Sequence, residues 1–246
     1  MALLNLSNFN TSKVTSMGYM FNKCNKLFSL DLSYFDTSQV FSMTQMFDSC
    51  KLLTSLNLSH LNTSKVSSMN LMFNGCSSLK ILDISKFNTS KVTNMNAIFA
   101  GCRSLISLNL SSFNTSKETD MSYMLSGYNS SIPLNLSNFI TSSITKMTFM
   151  FKGCSFLNSL DLSNFDTSIV NDMNFMLSEY ISLQYINLKN FTETKLTSLT
   201  DIFKLIPDKV VLCLNENNTI ILNQLKQNMK CFTIDCSDDW KSNQKK

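Results

Sequence analysis

The sequence predicts an α/β solenoid, a row of stacked coils in which every coil contributes one short strand and one short helix. Three observations carry this reading. A block of 26 residues occurs eight times without insertion or deletion: LNLSNFNTSKVTSMGYMFNKC from Leu4 recurs as LDLSYFDTSQVFSMTQMFDSC from Leu30, then from Leu56, Leu82, Leu108, Leu134, Leu160 and Ile186. A fixed period of that length sets the architecture before any local assignment, because one block cannot cover its own apolar groups and stacked neighbours can. Each block opens apolar, polar, apolar, as in Leu30-Asp31-Leu32, and period-two alternation puts both leucines on one face of a short strand. Met17, Met20, Phe21 and Cys24 recur as Met43, Met46, Phe47 and Cys50, the i, i+3, i+4, i+7 spacing that paints one face of a helix.

The remaining columns fit this scheme. Ser16, Ser42, Ser68, Asn94, Asp120, Lys146, Asp172 and Ser198 precede the first methionine position, where a side-chain acceptor caps a helix start. Gly75, Gly101, Gly127 and Gly153 share one column six residues later, where a left-handed residue would end the helix. Phenylalanines beginning at Phe9 and valines beginning at Val14 form two further inward columns. Eight leucine-rich repeats thus occupy 1–211, and 212–246 forms a C-terminal capping unit that opens with Leu212-Cys213-Leu214.

Composition narrows the function. The chain of 246 residues is 43% hydrophobic and only 15% charged, with a net charge of +4, too dispersed for a nucleic-acid footprint. No apolar run reaches the roughly 18 residues a bilayer crossing needs. The start shows no secretory signal, so the expectation is that a signal was removed or that the chain is a fragment.

The blocks resemble the 26-residue surface-protein repeats of the BspA-like leucine-rich-repeat family, on the signature of a strand, then F-D/N-T-S, then M-x-x-M-F and Cys. The resemblance implies a right-handed leucine-rich-repeat solenoid, a place on the cell surface or outside the cell, and a role in adhesion. It names no ligand.

Cys24, Cys50, Cys76, Cys102 and Cys154 share an inward column with Tyr128, Tyr180 and Ile206, which reads as packing by free thiols rather than metal ligation. In the capping unit a final strand at Phe232-Thr233-Ile234 would put Cys231 on the same side as Cys213, making Cys213–Cys231 the expected disulfide; the leftover Cys236 points to a chain that continues past Lys246. His60 is the sole histidine and reads as a solvated surface residue, so no catalytic constellation assembles and no enzyme, cofactor or metal site is expected. Glu118 stands where other repeats have valine; it reads as turning to solvent beside Lys117, against the alternative of a local kink or site. The Asn-x-Ser/Thr triplets, Asn129 among them, read either as glycan acceptors or as turn residues. The stacked Thr-Ser pairs raise ice binding as a distant third function.

The expected role is a monomeric binding or adhesion module with a protein or glycan partner; the second reading is a structural spacer or stalk. Partner binding is assigned to the strand face, at Asn5, Asp31, Asn57, Asp83 and Asn109 in one outward column and at Tyr34, His60 and Lys86 in a variable one, because outward rows on rigid backbone make a broad surface.

Overall fold

The computed structural model describes Leu4 and residues 6–237. Its regular strands are β1 (Ser55–Asn57), β2 (Ile81–Asp83), β3 (Ser159–Asp161), β4 (Tyr185–Leu188), β5 (Val210–Leu214) and β6 (Phe232–Ile234), with helix α1 (Thr219–Asn228) between the last two. All pairing is parallel: β1 with β2, and β3-β4-β5-β6 in order. Leu56 faces Leu82 and Leu160 faces Ile186, so equivalent positions of successive blocks stack into a parallel solenoid.

The expectation of one helix per repeat is overturned; among the described residues α1 is the one helix, and it lies outside the repeats. The segment from Met17 to Cys24 is instead three overlapping turns, closed by the N–H groups of Met20, Asn22 and Cys24 donating to the carbonyls of Met17, Tyr19 and Phe21. The alternate N–H groups, on Met17, Tyr19, Phe21 and Lys23, donate to Ser42, Thr44, Met46 and Asp48 of the next coil at 2.7–2.9 Å. The first and last of these turns have a positive φ at their third residue, at Tyr19 (63°) and Lys23 (58°), as do their equivalents along the chain. The glycine column is therefore left-handed as expected, with φ of 67–72°, but it shapes the last turn and ends no helix. The column expected to cap helices forms a line of parallel bridges, Ser16 to Ser42 to Ser68 to Asn94 and Asp120 to Lys146 to Asp172 to Ser198. Its side chains still accept a backbone N–H two residues on, as Asp120 does from Ser122 at 2.8 Å.

The core is one continuous stack. Phe21, Phe47, Phe73 and Phe99 lie ring over ring with centroids 5.6–5.7 Å apart, and Cys50, Cys76, Cys102 and Cys154 are buried beside them as free thiols. The leucine column is less uniform than expected. Leu56, Leu160 and Ile186 are buried, Leu30, Leu82 and Leu108 are half-covered, and Leu4 is 49% exposed. Phe9 and Met20 are exposed with it, because among the described residues the first coil has a neighbour on one side only. At the other end Ile221 and Leu225 of α1 are buried. Glu193 of the preceding repeat accepts the N–H groups of Ile220 and Ile221 at the start of α1, placing a carboxylate at the positive end of the helix dipole.

Threonine holds a second ladder. The Oγ1 of Thr89 donates to the carbonyl of Asn114 at 3.0 Å and accepts its N–H at 2.7 Å; Thr11, Thr63, Thr115, Thr141 and Thr167 bond the next coil in the same two-way fashion. These threonines are at most 4% exposed, so the stacked pairs present no threonine face to ice.

The cap departs from expectation at its disulfide, which joins Cys213 to Cys236 and leaves Cys231 free and exposed. Because β6 pairs Leu212 with Ile234, an offset of 22 residues, Cys231 lies level with Lys209, whose N–H it accepts at 2.8 Å. That is four strand residues from Cys213, about 13 Å at strand rise.

One junction is different. Glu118, expected to face solvent, is 1% exposed. Its Oε2 accepts the N–H of Met95 at 3.1 Å and its Oε1 has no partner. In other coils that methionine N–H donates to a backbone carbonyl of the next coil, as Met69 does to Asn94; among the described residues no bridge joins Asn94 to Asp120. The carboxylate thus occupies a rung of the ladder between the fourth and fifth repeats. Burial pushes its pKa up to about 7, the Met95 N–H opposes this, and Asp120 adds to it. Asp48, also buried, shows the satisfied alternative, accepting bonds from Asn22, Gln45, Ser49 and Asn74. One coil further on, Pro133 takes the first strand position, where it has no N–H to donate, and the two sheets are separated there.

Two outcomes follow for stability. Thr89→Val should lower it by about 2 to 4 kcal/mol in urea denaturation, because the substitution strands the Asn114 N–H and carbonyl; an unchanged midpoint would remove the threonine ladder as a structural element. For Glu118, the folded pKa lies above its ordinary value of 4.5, so its protonated form is the one the fold favours. Its contribution is fully present below pH 4.5 and is lost as pH rises through about 7, a swing on the order of 3 kcal/mol. The stability gain of Glu118→Val over the parent should therefore grow between those pH values and level off above; a gain independent of pH would contradict the buried carboxylate.

Candidate binding surface

The strand face carries the residues expected to bind a partner, and most of them are occupied. Asp31, Asn57, Asp83 and Asn109 each accept, through Oδ1, the backbone N–H two residues on, from Ser33, Ser59, Ser85 and Ser111 at 2.9–3.1 Å. The Ser33 backbone bond holds the Asp31 carboxyl below its ordinary pKa, and bonds from the Ser85 hydroxyl and N–H do the same for Asp83. These side chains close Asx turns. Asn5 lies outside the described residues.

The variable column divides. His60 Nε2 bonds the Leu32 carbonyl at 2.8 Å, and Asn138 and Asn164 use their amides the same way on Leu110 and Leu136. Tyr34 is 65% exposed and Lys86 is also exposed. Of the assigned residues, Tyr34 and Lys86 are therefore the two whose exposed side chains make no backbone hydrogen bond among the described residues, and with His60 they form the outward row.

The turn face carries what the sequence reading missed. At the left-handed position of the first turn, Tyr123, Phe149 and Phe175 follow one another in successive coils. Their rings stack with centroids 4.7 and 4.9 Å apart. Lys152 Nζ sits 5.2 and 5.8 Å from the Phe149 and Phe175 ring centres and pairs with Glu179 at 3.1 Å, within the reach of a cation–π contact. Beside this stack runs a groove of about 570 Å³ lined by polar groups that include Arg103, Ser126, Asn129 and Ser155. Gly127 and Gly153 line it as well, and a Cβ built on Gly127 would lie 4.0 Å from Arg103 Cγ. The available signal was the column itself, Tyr19, Gln45, Leu71, Ala97, Tyr123, Phe149, Phe175, Asp201, which varies too much to be core.

Among the described residues no three His, Cys, Asp or Glu side chains come together as a metal site, and no helix is long and apolar enough to cross a membrane. Burial pushes the thiols of Cys50, Cys102 and Cys154 up to about 12, far from the thiolate a nucleophile requires.

A parallel repeat solenoid with a self-capped strand face and an aromatic turn face is the class these observations define. The chain belongs to the family described as "Mycoplasma protein of unknown function, DUF285", which matches residues 2–81, 53–132 and 129–208, each match covering about three of the 26-residue blocks. It is also similar to a leucine-rich repeat protein from Bacteroides ovatus of known crystal structure, at 17% identity and a TM-score of 0.38, over 81% of this chain and 59% of that one. The chain thus spans less than two thirds of that protein's length. No curated protein matches it.

The thiol assignment is open to direct test. In the native protein an exposed-thiol reagent should label Cys231 rapidly and leave Cys50, Cys76, Cys102 and Cys154 unmodified, and unfolding without reductant should release them; rapid native labelling of those four would contradict their place in the core.

Proposed function

We propose that the chain is a non-catalytic binding module of a surface-displayed or secreted protein, holding rows of exposed side chains on a rigid ladder for a protein or glycan partner. The observation that carries this is the freedom of particular exposed positions: Tyr34 and Lys86 project from a column in which His60, Asn138 and Asn164 brace the neighbouring coil. Conserving the fold does not require a tyrosine there. The resemblance of the blocks to BspA-like surface repeats supports adhesion and a place at the cell surface.

A second reading, a spacer that holds another domain away from the cell, is favoured by one observation. The Asp31, Asn57, Asp83 and Asn109 column spends its acceptors on its own turns, as a structural rod would.

The two are separated by changing Tyr34, His60 and Lys86 together to alanine. Because these side chains are exposed, the variant should fold, with a loss of about 1 kcal/mol for the His60 bond. Binding to cells or matrix should fall at least tenfold in a sedimentation or surface-capture assay. Full binding by a folded variant would remove the strand face as the contact surface.

A further inference from the structure

We propose that the groove between Arg103 and Tyr123 is a subsite for an acidic saccharide, with a pyranose ring seated on the open face of Tyr123 and its carboxylate held by the Arg103 guanidinium. This rests on the binding reading above and names a ligand class and a second place on the molecule.

The aromatic stack has two unlike ends. On the Phe175 side, Lys204 Nζ lies 5.9 Å from the ring centre. On the Tyr123 side the preceding coil offers Ala97 in the same column, so no ring covers that face, and Tyr123 is 41% exposed. An exposed, rigidly backed aromatic face suits the apolar C–H face of a sugar, as amphipathic rings suit binding surfaces generally. Arg103 belongs to the same coil as Ala97 and lines the groove on this open side. Among the described residues it has no ion-pair partner, whereas Lys152, its cationic neighbour in the groove, is paired with Glu179. A planar guanidinium pairs with a carboxylate through two parallel N–H bonds.

The groove also supplies hydroxyl partners. Asn129 uses Oδ1 to accept the Ser155 N–H at 3.1 Å, which fixes the amide and orients its N–H₂ donors. The Ser126 hydroxyl donates to the Lys152 carbonyl at 3.2 Å and keeps its acceptor positions. Gly127, at φ of 72°, keeps the groove floor low where any side chain would stand next to Arg103. A volume of about 570 Å³ falls in the range of small-ligand sites, and its polar lining suits a hydroxyl-rich ligand better than an apolar one.

The test uses the full chain and two probes, trigalacturonate and the neutral galactotriose, titrated by NMR. The acidic trimer should bind at least tenfold more tightly than the neutral one, with an affinity that falls as salt is raised. Tyr123→Ala should weaken it tenfold or more while leaving the fold intact, since Ala97 occupies the same column at φ of 54°. Arg103→Gln should weaken the acidic trimer alone and flatten the salt dependence. Equal binding of the two probes, no binding of the acidic one, or unchanged affinity in both variants would overturn the proposal. The Tyr34, His60 and Lys86 triple variant should bind trigalacturonate as the parent does. Loss of cell binding in that variant with no trimer binding by the parent would leave the module reading standing and remove this subsite; the reverse pair of results would keep the subsite and remove the strand-face contact.

Discussion

The division of backbone amides between two kinds of acceptor is the constraint from which this molecule is built. Along the turn segment, alternate N–H groups go to the next coil and the rest close turns three residues back. Neither use alone would serve. A helix would consume every amide within the coil and leave nothing to join coils, whereas a long strand would leave the chain too straight to return after 26 residues. The compromise requires left-handed backbone twice per coil, a conformation that costs ordinary residues about 1 kcal/mol or more and glycine nothing. Glycine fills the second of these positions in four coils; Lys23, Ser49, Glu179 and Leu205 take it in the others, and the N–H groups of the first three bond the adjoining coil.

The same need for acceptors explains why so much polar surface is committed to structure. Asparagine and aspartate columns close turns on the strand side, and threonine hydroxyls bridge coils from within. Against that background, groups that brace nothing are informative. The Tyr123, Phe149 and Phe175 stack satisfies no backbone group, and neither does Arg103.

The period, the inward columns and the left-handed glycines were legible because each depends on local chemistry repeated in register, whereas the outward asparagines, read as partner-binding, close their own turns. The helix was misread because overlapping turns also bring residues three and four apart onto one side. Its own column held the warning: Cys24 was counted on the helix face although the glycine-type position at Lys23 precedes it, and a helix cannot both end at that point and continue past it. The disulfide was not legible, since the β5–β6 register falls from the 26-residue period to 22 residues, which sets Cys213 level with Asp235 and next to Cys236 rather than near Cys231. Glu118 was misjudged by treating burial of a carboxylate as prohibitive, when a vacant rung and a raised pKa accommodate it. The aromatic groove was not legible because its column runs from tyrosine through glutamine, leucine and alanine before the three aromatic residues meet in successive coils.

The Glu118 junction also bears on mechanics. A solenoid loaded along its axis is a series of links, and tension is shared at each link by the rungs that cross it. Between the fourth and fifth repeats one of those rungs ends on a side chain, and a single torsional change in that side chain releases it. Pro133 thins the next link in turn. Under pulling, the Glu118 link has fewer backbone rungs to share the load than the links within either stack, and charging Glu118 puts an unpartnered carboxylate oxygen inside it.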